Sequence, residues 1–274
     1  MNSQNKASYL LGHSAEEFER LAKQALLYEP LTEQVFREAG LTSGMRVLDI
    51  GSGFGDVAFL AAQQVGASGA VVGTDKAPAA IRAARARAAK LGMTNVRFVE
   101  GDIARLRNEG PFDAIVGRLV LMYISDPLAV LRHLLGQLRP GGIVVFLEPD
   151  LPMLDPLTDP PLYRQCLQWL AAAFEHAGTR MRMGRELHAT CLAAGLPAPT
   201  MRLLANMGGG PDFAGYAVIA DTVRSALPMM EQLGIATASE VNVETLEARL
   251  RAETCARGGV IAVLPLVAAW CRKR

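Results

Sequence analysis

The stretch Asp49-Ile50-Gly51-Ser52-Gly53-Phe54-Gly55-Asp56 decides the fold of this chain. It follows the apolar run Arg46–Ile50, which predicts a buried strand, and it opens a segment that predicts a helix over residues 56–65. The three glycines let the main chain turn tightly and approach a ligand with no Cβ in the way. In open parallel sheets ligands lie beyond the carboxyl ends of the strands, so this turn predicts a binding site.

The same alternation of apolar runs and helical segments continues along the chain to residue 150. Further strands are predicted at 70–74, 96–99, 112–116 and 142–147, and helices at 78–91 and 127–138. Strands that alternate with helices form right-handed crossovers and a mostly parallel sheet, and continuously apolar strands are buried on both faces. We therefore expect an α/β fold, a Rossmann-like mostly parallel sheet with helices on both faces.

The regions on either side of this core are mostly helical. Residues 15–39 predict two helices separated at Pro30, because proline disrupts a helix interior. After Asp150 we expect helices at 162–177, 185–194, 214–233 and 243–256, and strands at 200–206 and 259–269, with Pro265 at a bulge or an edge. The expected organisation is an N-terminal helical lid (1–40) and one main domain (41–274), with helical cap insertions at about 151–183 and 211–257.

Composition limits the kind of protein and its partners. The chain has 274 residues, of which half are hydrophobic, and a formal net charge of +1. This balance is typical of a globular protein and does not favour nucleic acid or a membrane as the main partner. The N-terminus lacks the layout of a secretory signal, and the late apolar stretch is shorter than the roughly 20 residues of a membrane helix. For this reason we expect a cytoplasmic protein, as a monomer or homodimer. Four scattered cysteines show no metal-ligand spacing, so we expect no metal.

Acidic residues follow the two strands after the glycine turn. A carboxylate at Asp75 is placed to accept hydrogen bonds from ribose hydroxyls, and Asp102 is placed to accept from an adenine amino group, with Ile103 against the ring. Dinucleotide sites favour G-x-G-x-x-G, whereas this chain has G-x-G-x-G followed by Asp56, which would repel a pyrophosphate. The pattern therefore favours a nucleoside-bearing cationic ligand.

Five segments together carry a family resemblance: VLDIGSGFG (47–55), VVGTD (71–75), VEGDI (99–103), FDAIVGRLVLMYISDP (112–127) and LRPGGIVVFLEPD (138–150). They resemble the class I S-adenosylmethionine-dependent methyltransferases, most of all the branch with ubiquinone and menaquinone biosynthesis enzymes and many small-molecule enzymes of bacterial secondary metabolism. The resemblance covers about residues 40–150, and it is specific for the cofactor and weak for the methyl acceptor.

The resemblance implies a seven-stranded sheet with an antiparallel last strand, and a set of residues that bind S-adenosylmethionine. Gly51 and Gly53 would line its amino-acid part, Asp75 its ribose, and Asp102 with Ile103 its adenine. Gly117 and Arg118 would lie near the sulfonium, and residues from the N-terminal helices would close over the cofactor. The implied set is Asp49, Gly51, Gly53, Gly55, Asp75, Lys76, Asp102, Ile103, Gly117, Arg118, Tyr9 and Arg20.

Methyl transfer from a sulfonium to a small-molecule acceptor is an in-line displacement, for which alignment and exclusion of water are the main requirements. A base is needed only where the acceptor must lose a proton, and our candidates are Asp150, Glu148 and His188. Two alternatives stay open: a cofactor-binding enzyme that does not methylate, and an NAD-dependent oxidoreductase. A macromolecular acceptor is a third, which the near-neutral charge and the expected lid disfavour.

Overall fold

The architecture is a seven-stranded sheet with helices on both faces. The computed structural model describes residues 15–106, 110–157 and 160–274. The sheet has the strand order β3-β2-β1-β4-β5-β9-β6, and β7 and β8 form a separate two-stranded sheet. The strands are β1 Arg46–Ile50, β2 Ala70–Asp75, β3 Val96–Glu100, β4 Phe112–Arg118, β5 Leu138–Pro149, β6 Thr200–Leu204, β7 Met207–Gly208, β8 Ile261–Ala262 and β9 Leu266–Arg272.

Strand order reverses beside β1, which pairs in parallel with β2 on one side and β4 on the other. The last strand, β9, is antiparallel to both of its neighbours, β5 and β6. The Rossmann-like fold and the antiparallel last strand are thereby confirmed. The reversal leaves a crevice outside the carboxyl end of β1, which is where the glycine turn begins.

Helices follow most of the strands, as the alternating pattern predicts. They are α1 Ala15–Ala39, α2 Asp56–Val65, α3 Pro78–Lys90, α4 Pro127–Leu135, α5 Pro161–His176, α6 Met183–Ala193, α7 Gly215–Gln232, α8 Ala238–Val241 and α9 Val243–Arg257, with 3-10 helices at Leu121–Tyr123 and Leu151–Leu157. None of the helices in the described part of the chain is both long and apolar enough to cross a membrane.

Successive apolar residues of each buried strand enter cores on opposite faces of the sheet. Val47 packs in the core that contains α1, α2 and α3, whereas the next residue, Leu48, packs in the core that contains α4 and α6. A third core joins α5, α7 and α9 around Tyr163 and Tyr216. This pleat-driven alternation explains why the central strands contain runs of consecutive apolar residues, such as Val144, Val145 and Phe146 of β5.

Two predicted elements differ from the structure, and in both of them the difference lies at a proline. Helix α1 runs unbroken through Pro30 instead of splitting into two helices. Pro30 is exposed, and Leu26, whose carbonyl loses its helical partner, is 69% exposed, so water is available to that carbonyl. Pro265, in contrast, separates two strands, so that the single strand predicted at 259–269 becomes β8 and β9.

Candidate functional site

The carboxyl ends of the central strands border a cavity with a volume of about 340 Å³. One side, here called the strand half, is formed by residues 51–54, 56–57, 75–77, 80, 101–103 and 118, at or just after the ends of β1 to β4. The other side, here called the helical half, is formed by lining residues of α1, α5 and α7, the 3-10 helix Leu121–Tyr123 and the segment 262–264. The cavity lies at the switch in strand order, where α/β sheets bind their ligands.

The glycine elbow, residues 51–55, needs glycine for two different reasons. Gly51 and Gly53 have φ angles of 60° and 51°, in the left-handed region that favours glycine. A Cβ at Gly51 would collide with Val120 Cγ2, whereas a Cβ at Gly53 would meet nothing within 4 Å. Gly51 therefore permits a close packing contact, while Gly53 leaves its backbone open towards the cavity.

The remaining glycines of the predicted set support the elbow from outside the cavity lining. A Cβ at Gly55 would lie 2.8 Å from Phe98 Cζ, and one at Gly117 would lie 2.9 Å from both Ile50 Cγ1 and Val120 Cγ1. Neither residue lines the cavity. Their role in the described structure is to let neighbouring elements pack closely behind the elbow.

Asp75 connects the elbow to the end of β2. Its Oδ2 accepts a hydrogen bond from the Gly53 N–H at 3.0 Å, and its Oδ1 accepts from the Ala77 N–H at 2.8 Å. The next residue, Lys76, is exposed and also lines the cavity. The carboxylate is thus held in a fixed position at the cavity wall, with lone pairs left for further donors.

Asp102 and Ile103 form the outer end of the strand half. Both line the cavity, Asp102 is exposed, and its Oδ1 accepts a hydrogen bond from the Ala104 N–H at 2.9 Å. The structure therefore brings Asp75, Asp102 and the glycine elbow to one cavity, as their positions after successive strands predict.

Asp49 lies beneath the elbow, outside the cavity lining. It is only 1% exposed, and burial raises its pKa well above the ordinary value, a shift that the Arg118 charge opposes. Among the described residues, no hydrogen-bond partner reaches Asp49 Oδ2, the Ser52 hydroxyl or the Thr74 hydroxyl. Polar atoms left in this condition are costly, which is typical of a place where a ligand or water completes the hydrogen bonding.

Asp56 also lines the cavity, but its charge is compensated. Its Oδ1 forms an ion pair with Arg87 Nη2 at 2.8 Å, and the same guanidinium donates to the Phe54 carbonyl at 2.7 Å. The pairing reduces the repulsion that Asp56 alone would exert on a pyrophosphate. The glycine spacing, rather than Asp56, therefore carries the argument against a dinucleotide.

Arg118 joins the end of β4 to α1. Its Nη1 donates to the Thr32 hydroxyl at 2.8 Å, and its guanidinium lies over the Tyr28 ring, 5.8 Å from the centroid. The Tyr28 hydroxyl in turn donates to the Leu264 carbonyl at 2.6 Å. Sequence reasoning did not identify Tyr28 and Thr32, whose only signal was their position on an amphipathic helix.

Arg20 of α1 lines the cavity and contacts α7. It is 4% exposed, and its Nη1 donates to Gln24 Oε1 at 2.6 Å and to the Thr222 hydroxyl at 3.5 Å. These contacts place it among the helices of the helical half. Tyr9, the other residue predicted from the N-terminal helices, lies outside the described residues.

The three candidate bases do not line the cavity. The buried Glu148 carboxylate accepts hydrogen bonds from the N–H groups of Val120, Leu121 and Met122, at 3.1, 2.8 and 3.1 Å. Burial raises the pKa of Glu148 to about 7, although these bonds oppose the rise. Glu148 thus holds a wall segment of the cavity from behind.

The other two candidates face elsewhere. Asp150 is fully buried and forms a two-pronged ion pair with Arg185, with Nε at 2.7 Å and Nη2 at 2.6 Å. His188 lies on the exposed side of α6. None of the three side chains lines the cavity, so none of them directly faces a molecule bound there. The sequence places these residues after a strand or on a helix, but it does not show which way each side chain points.

The helical half has a wall that sequence reasoning did not identify. Its shared feature is apolar side chains from α5 and α7, which are far apart in the chain, together with Met181 just before α6; the main ones are Leu167, Leu170, Phe174, Met181, Val218 and Ile219. Their only sequence signal is ordinary helical periodicity, which is the same for core residues. Among the described residues, no group of three histidines, cysteines or acidic residues is arranged to hold a metal ion.

Comparisons with known proteins agree with this geometry. A family model described as a methyltransferase domain matches residues 41–193, more than half of the chain. The arsenite methyltransferase of Aquipseudomonas alcaligenes is 38% identical over 138 residues, which cover 46% of this chain and 40% of that protein. The demethylmenaquinone methyltransferase of Lactococcus lactis is 31% identical over 136 residues, which cover 49% of this chain and 52% of that protein.

The matched region spans about half the length of these curated relatives, or less. A solved structure of a putative methyltransferase from Bacillus halodurans matches with a TM-score of 0.58 at 15% identity, over 88% of this chain and 98% of that one. At this identity the likeness shows a shared fold.

Proposed function

The chain belongs to the class I S-adenosylmethionine-dependent methyltransferases, and from that premise we propose that it transfers a methyl group from S-adenosylmethionine to a small organic acceptor. One observation about the strand half of the cavity carries the proposal. There the open backbone at Gly53 faces the same space as the carboxylates of Asp75 and Asp102.

The residues of the strand half suit this cofactor. Asp75 retains lone pairs for two ribose hydroxyls, and Asp102 with Ile103 offers an acceptor and an apolar face for adenine. The unpartnered Ser52 hydroxyl at the elbow is available to the amino-acid part. The Asp75 and Asp102 carboxylates carry a charge opposite to that of a sulfonium, and the G-x-G-x-G spacing of the elbow disfavours a dinucleotide.

When bound, S-adenosylmethionine supplies an electrophilic methyl group on a cationic sulfur. The task of the chain's own residues is to align the acceptor with that methyl group and to exclude water. We assign exclusion of water to the apolar side chains of α5 and α7, and positioning to Arg118, which fixes α1 against the end of β4. We further propose that residues 1–40 act as a lid and that the segments 151–183 and 211–257 act as a cap.

The names of the relatives suggest different acceptors, and the lining of the cavity supports one class over the other. Arsenic(III) is a soft centre that prefers thiolate ligands. In the part of the chain that the structure describes, no cysteine lines the cavity. An apolar wall suits an organic ring system better, as in the acceptor named for the menaquinone relatives. We therefore propose an organic acceptor rather than arsenite; the cytoplasmic location and the monomeric or dimeric state stay predictions.

Isothermal titration calorimetry with S-adenosylmethionine, S-adenosylhomocysteine and NAD tests the cofactor. We expect one site for each of the first two ligands and no heat from NAD. Tight NAD binding with no response to the other two would support the oxidoreductase alternative and end the proposal.

Incubation with methyl-labelled S-adenosylmethionine and candidate acceptors tests the transfer. Labelled product supports methylation. Conversion of an acceptor with no label in the product would instead support an enzyme that binds the cofactor without using its methyl group.

A further inference from the structure

The segment 179–182, between α5 and α6, is tied to the ends of two neighbouring strands. The Arg180 N–H donates to the Met122 carbonyl at 2.9 Å, in the 3-10 helix that follows β4. The Met181 carbonyl accepts from the Leu151 N–H, also at 2.9 Å, in the 3-10 helix that follows β5. The main chain of Arg180 and Met181 is therefore held on both sides by elements that continue from the sheet.

Two buried carboxylates fix the surroundings of this segment. Glu148 accepts from the N–H groups of residues 120–122 and so holds the 3-10 helix after β4. Asp150 pairs with the Arg185 side chain and accepts its backbone N–H at 3.2 Å, which anchors the start of α6 just beyond the segment. Because these neighbours are fixed, the main chain at Met181 has little freedom to shift when its side chain is replaced. A change of side-chain volume there should appear in the cavity.

The Met181 side chain lies at the seam between two cores. It packs against the core that contains α4 and α6 and against the core of α5, α7 and α9. It also lines the cavity and is half-buried, whereas Leu170, Phe174 and Ile219 of the same wall are buried members of the third core. Replacing those three would disturb the packing of helices, so Met181 can change volume at a smaller cost to the fold.

The chemistry of methionine suits a position that faces a ligand. Its side chain is unbranched, has three rotatable bonds and fills irregular gaps between apolar surfaces. An apolar pocket discriminates by about tenfold or more between ligands that differ by a single methylene, because the extra group either finds space or collides. A residue 181 that is shorter or bulkier than methionine should therefore change which ring systems fit in the helical half.

Resting on the proposed function, we propose that Met181 determines the specificity for acceptor size. Its side-chain volume sets how large a lipophilic ring system fits between the 3-10 helix after β4 and the apolar side chains of α5, both of which line the cavity. A shorter side chain at this position admits a larger acceptor, and a bulkier one excludes it. The fixed main chain of the segment 179–182 makes the effect one of volume rather than of a displaced loop.

Fluorescence titration with two neutral aromatic ketones of different size, 2-acetylnaphthalene and 2-acetylanthracene, tests this role. Each probe is added to protein saturated with S-adenosylhomocysteine, and the readout is the ratio of the two dissociation constants. Met181→Ala should shift this ratio by about tenfold or more in favour of the three-ring probe, and Met181→Phe should shift it in the opposite direction. Met181→Leu, which nearly conserves the volume, should keep the wild-type ratio.

Met153 provides the matched control, because it lies in the 3-10 helix Leu151–Leu157, is 40% exposed and does not line the cavity. Met153→Ala and Met153→Phe should bind both probes as the wild-type protein does. A wild-type ratio in Met181→Ala, or in a folded Met181→Phe, would overturn the proposal, as would an equal shift in the Met153 variants. Loss of affinity by the same factor for both probes would also overturn it, since a merely structural role predicts that result.

Calorimetry with S-adenosylhomocysteine separates this inference from the proposed function. Met181 lies outside the strand half, so its variants should bind S-adenosylhomocysteine with the wild-type affinity, and a variant that loses this affinity would overturn the inference. A wild-type protein that binds S-adenosylhomocysteine but neither probe refutes the role of Met181 alone. A wild-type protein that binds no S-adenosylhomocysteine refutes the proposed function.

Discussion

The two halves of the cavity are built by different means. The strand half combines the backbone of the glycine elbow and the carboxylates of Asp75 and Asp102 with their chain neighbours at the ends of consecutive strands, all within residues 51–118. The helical half consists of long apolar side chains from helices that are distant in sequence, such as α1, α5 and α7. In the strand half the sheet itself fixes the geometry, whereas in the helical half the packing of separate helices does so.

This difference shows which part of the site can be predicted from the sequence and which part can be built from many different residues. A backbone turn needs particular residues, because only glycine tolerates the φ angles at Gly51 and Gly53 without strain. An apolar wall needs only volume and hydrophobicity, so many sequences satisfy it. We therefore expect substitutions in the strand half to affect the cofactor and substitutions in the helical half to affect the acceptor.

The largest expected effect is a difference in stability between alanine variants of Gly51 and Gly53. Gly51→Ala combines a left-handed φ with a collision against Val120, and we expect it to lower the free energy of unfolding by about 3 kcal/mol or more. Gly53→Ala has open space for its Cβ, so it should cost only about 1 kcal/mol of stability. Its methyl group would instead occupy cofactor space and weaken S-adenosylhomocysteine binding.

Urea unfolding and calorimetry on both variants measure these effects. Equal stability losses in the two variants would show that the elbow does not divide into a packing glycine and a binding glycine.

The second effect compares the two acids of the strand half. Asp75→Ala should weaken S-adenosylhomocysteine binding by about 1–3 kcal/mol, the scale of a hydrogen bond that involves a charged group. It also removes the acceptor of the Gly53 and Ala77 N–H groups, which adds to the loss. Asp102→Ala should cost less, because Asp102 is exposed. An unchanged dissociation constant for Asp75→Ala, measured by calorimetry, would contradict the ribose role.

The third effect lies in the helical half. Val218→Thr keeps the side-chain shape but places a hydroxyl in the apolar wall, so a neutral aromatic probe such as naphthalene should bind about fivefold more weakly, or about 1 kcal/mol. The affinity for S-adenosylhomocysteine should stay the same, since Val218 lies outside the strand half. A variant that loses cofactor affinity as strongly as probe affinity would show that the two halves are not independent.

The smallest effect at a fixed, acidic pH concerns Glu148, which lies behind the wall segment 120–122. Burial raises the pKa of Glu148 from 4.5 to about 7, so the folded protein holds this proton more tightly than the unfolded chain does. This contribution to stability is therefore present below about pH 4.5 and is lost as the pH rises towards 7. Glu148→Gln should flatten the pH dependence of stability in that window, with a difference of about 1 kcal/mol or less at its acidic end.

Thermal unfolding of both proteins across the window checks this prediction. A slope that is identical with and without the carboxyl would show that Glu148 does not titrate there.

The sequence predicted most strands and most helices to within a few residues, and the errors lie where proline interrupts a pattern. Buried strands, glycine-rich turns and helical periodicity are local signals, so the first five strands of the sheet and the helices between them appear close to where the sequence predicted them. Pro30 and Pro265 gave the same local signal but had different outcomes: the exposed Pro30 is accommodated inside α1, and Pro265 separates β8 from β9. Solvent exposure decided the first outcome, and no local pattern reveals it.

The residues of the candidate site also differ in how well the sequence predicts them. Gly51, Gly53, Asp75 and Asp102 could be predicted because strand ends in a parallel sheet converge on one edge. The orientation of Asp150 towards Arg185, and of Glu148 towards backbone N–H groups, depends on contacts between distant elements, which the strand pattern does not contain.

A crystal structure with S-adenosylhomocysteine tests the central claim most directly. The account predicts ribose hydroxyls within hydrogen-bond distance of Asp75, adenine beside Asp102 and Ile103, and the amino-acid part over the open backbone at Gly53. A nucleoside bound elsewhere, or a strand half left empty at saturating ligand, would contradict it.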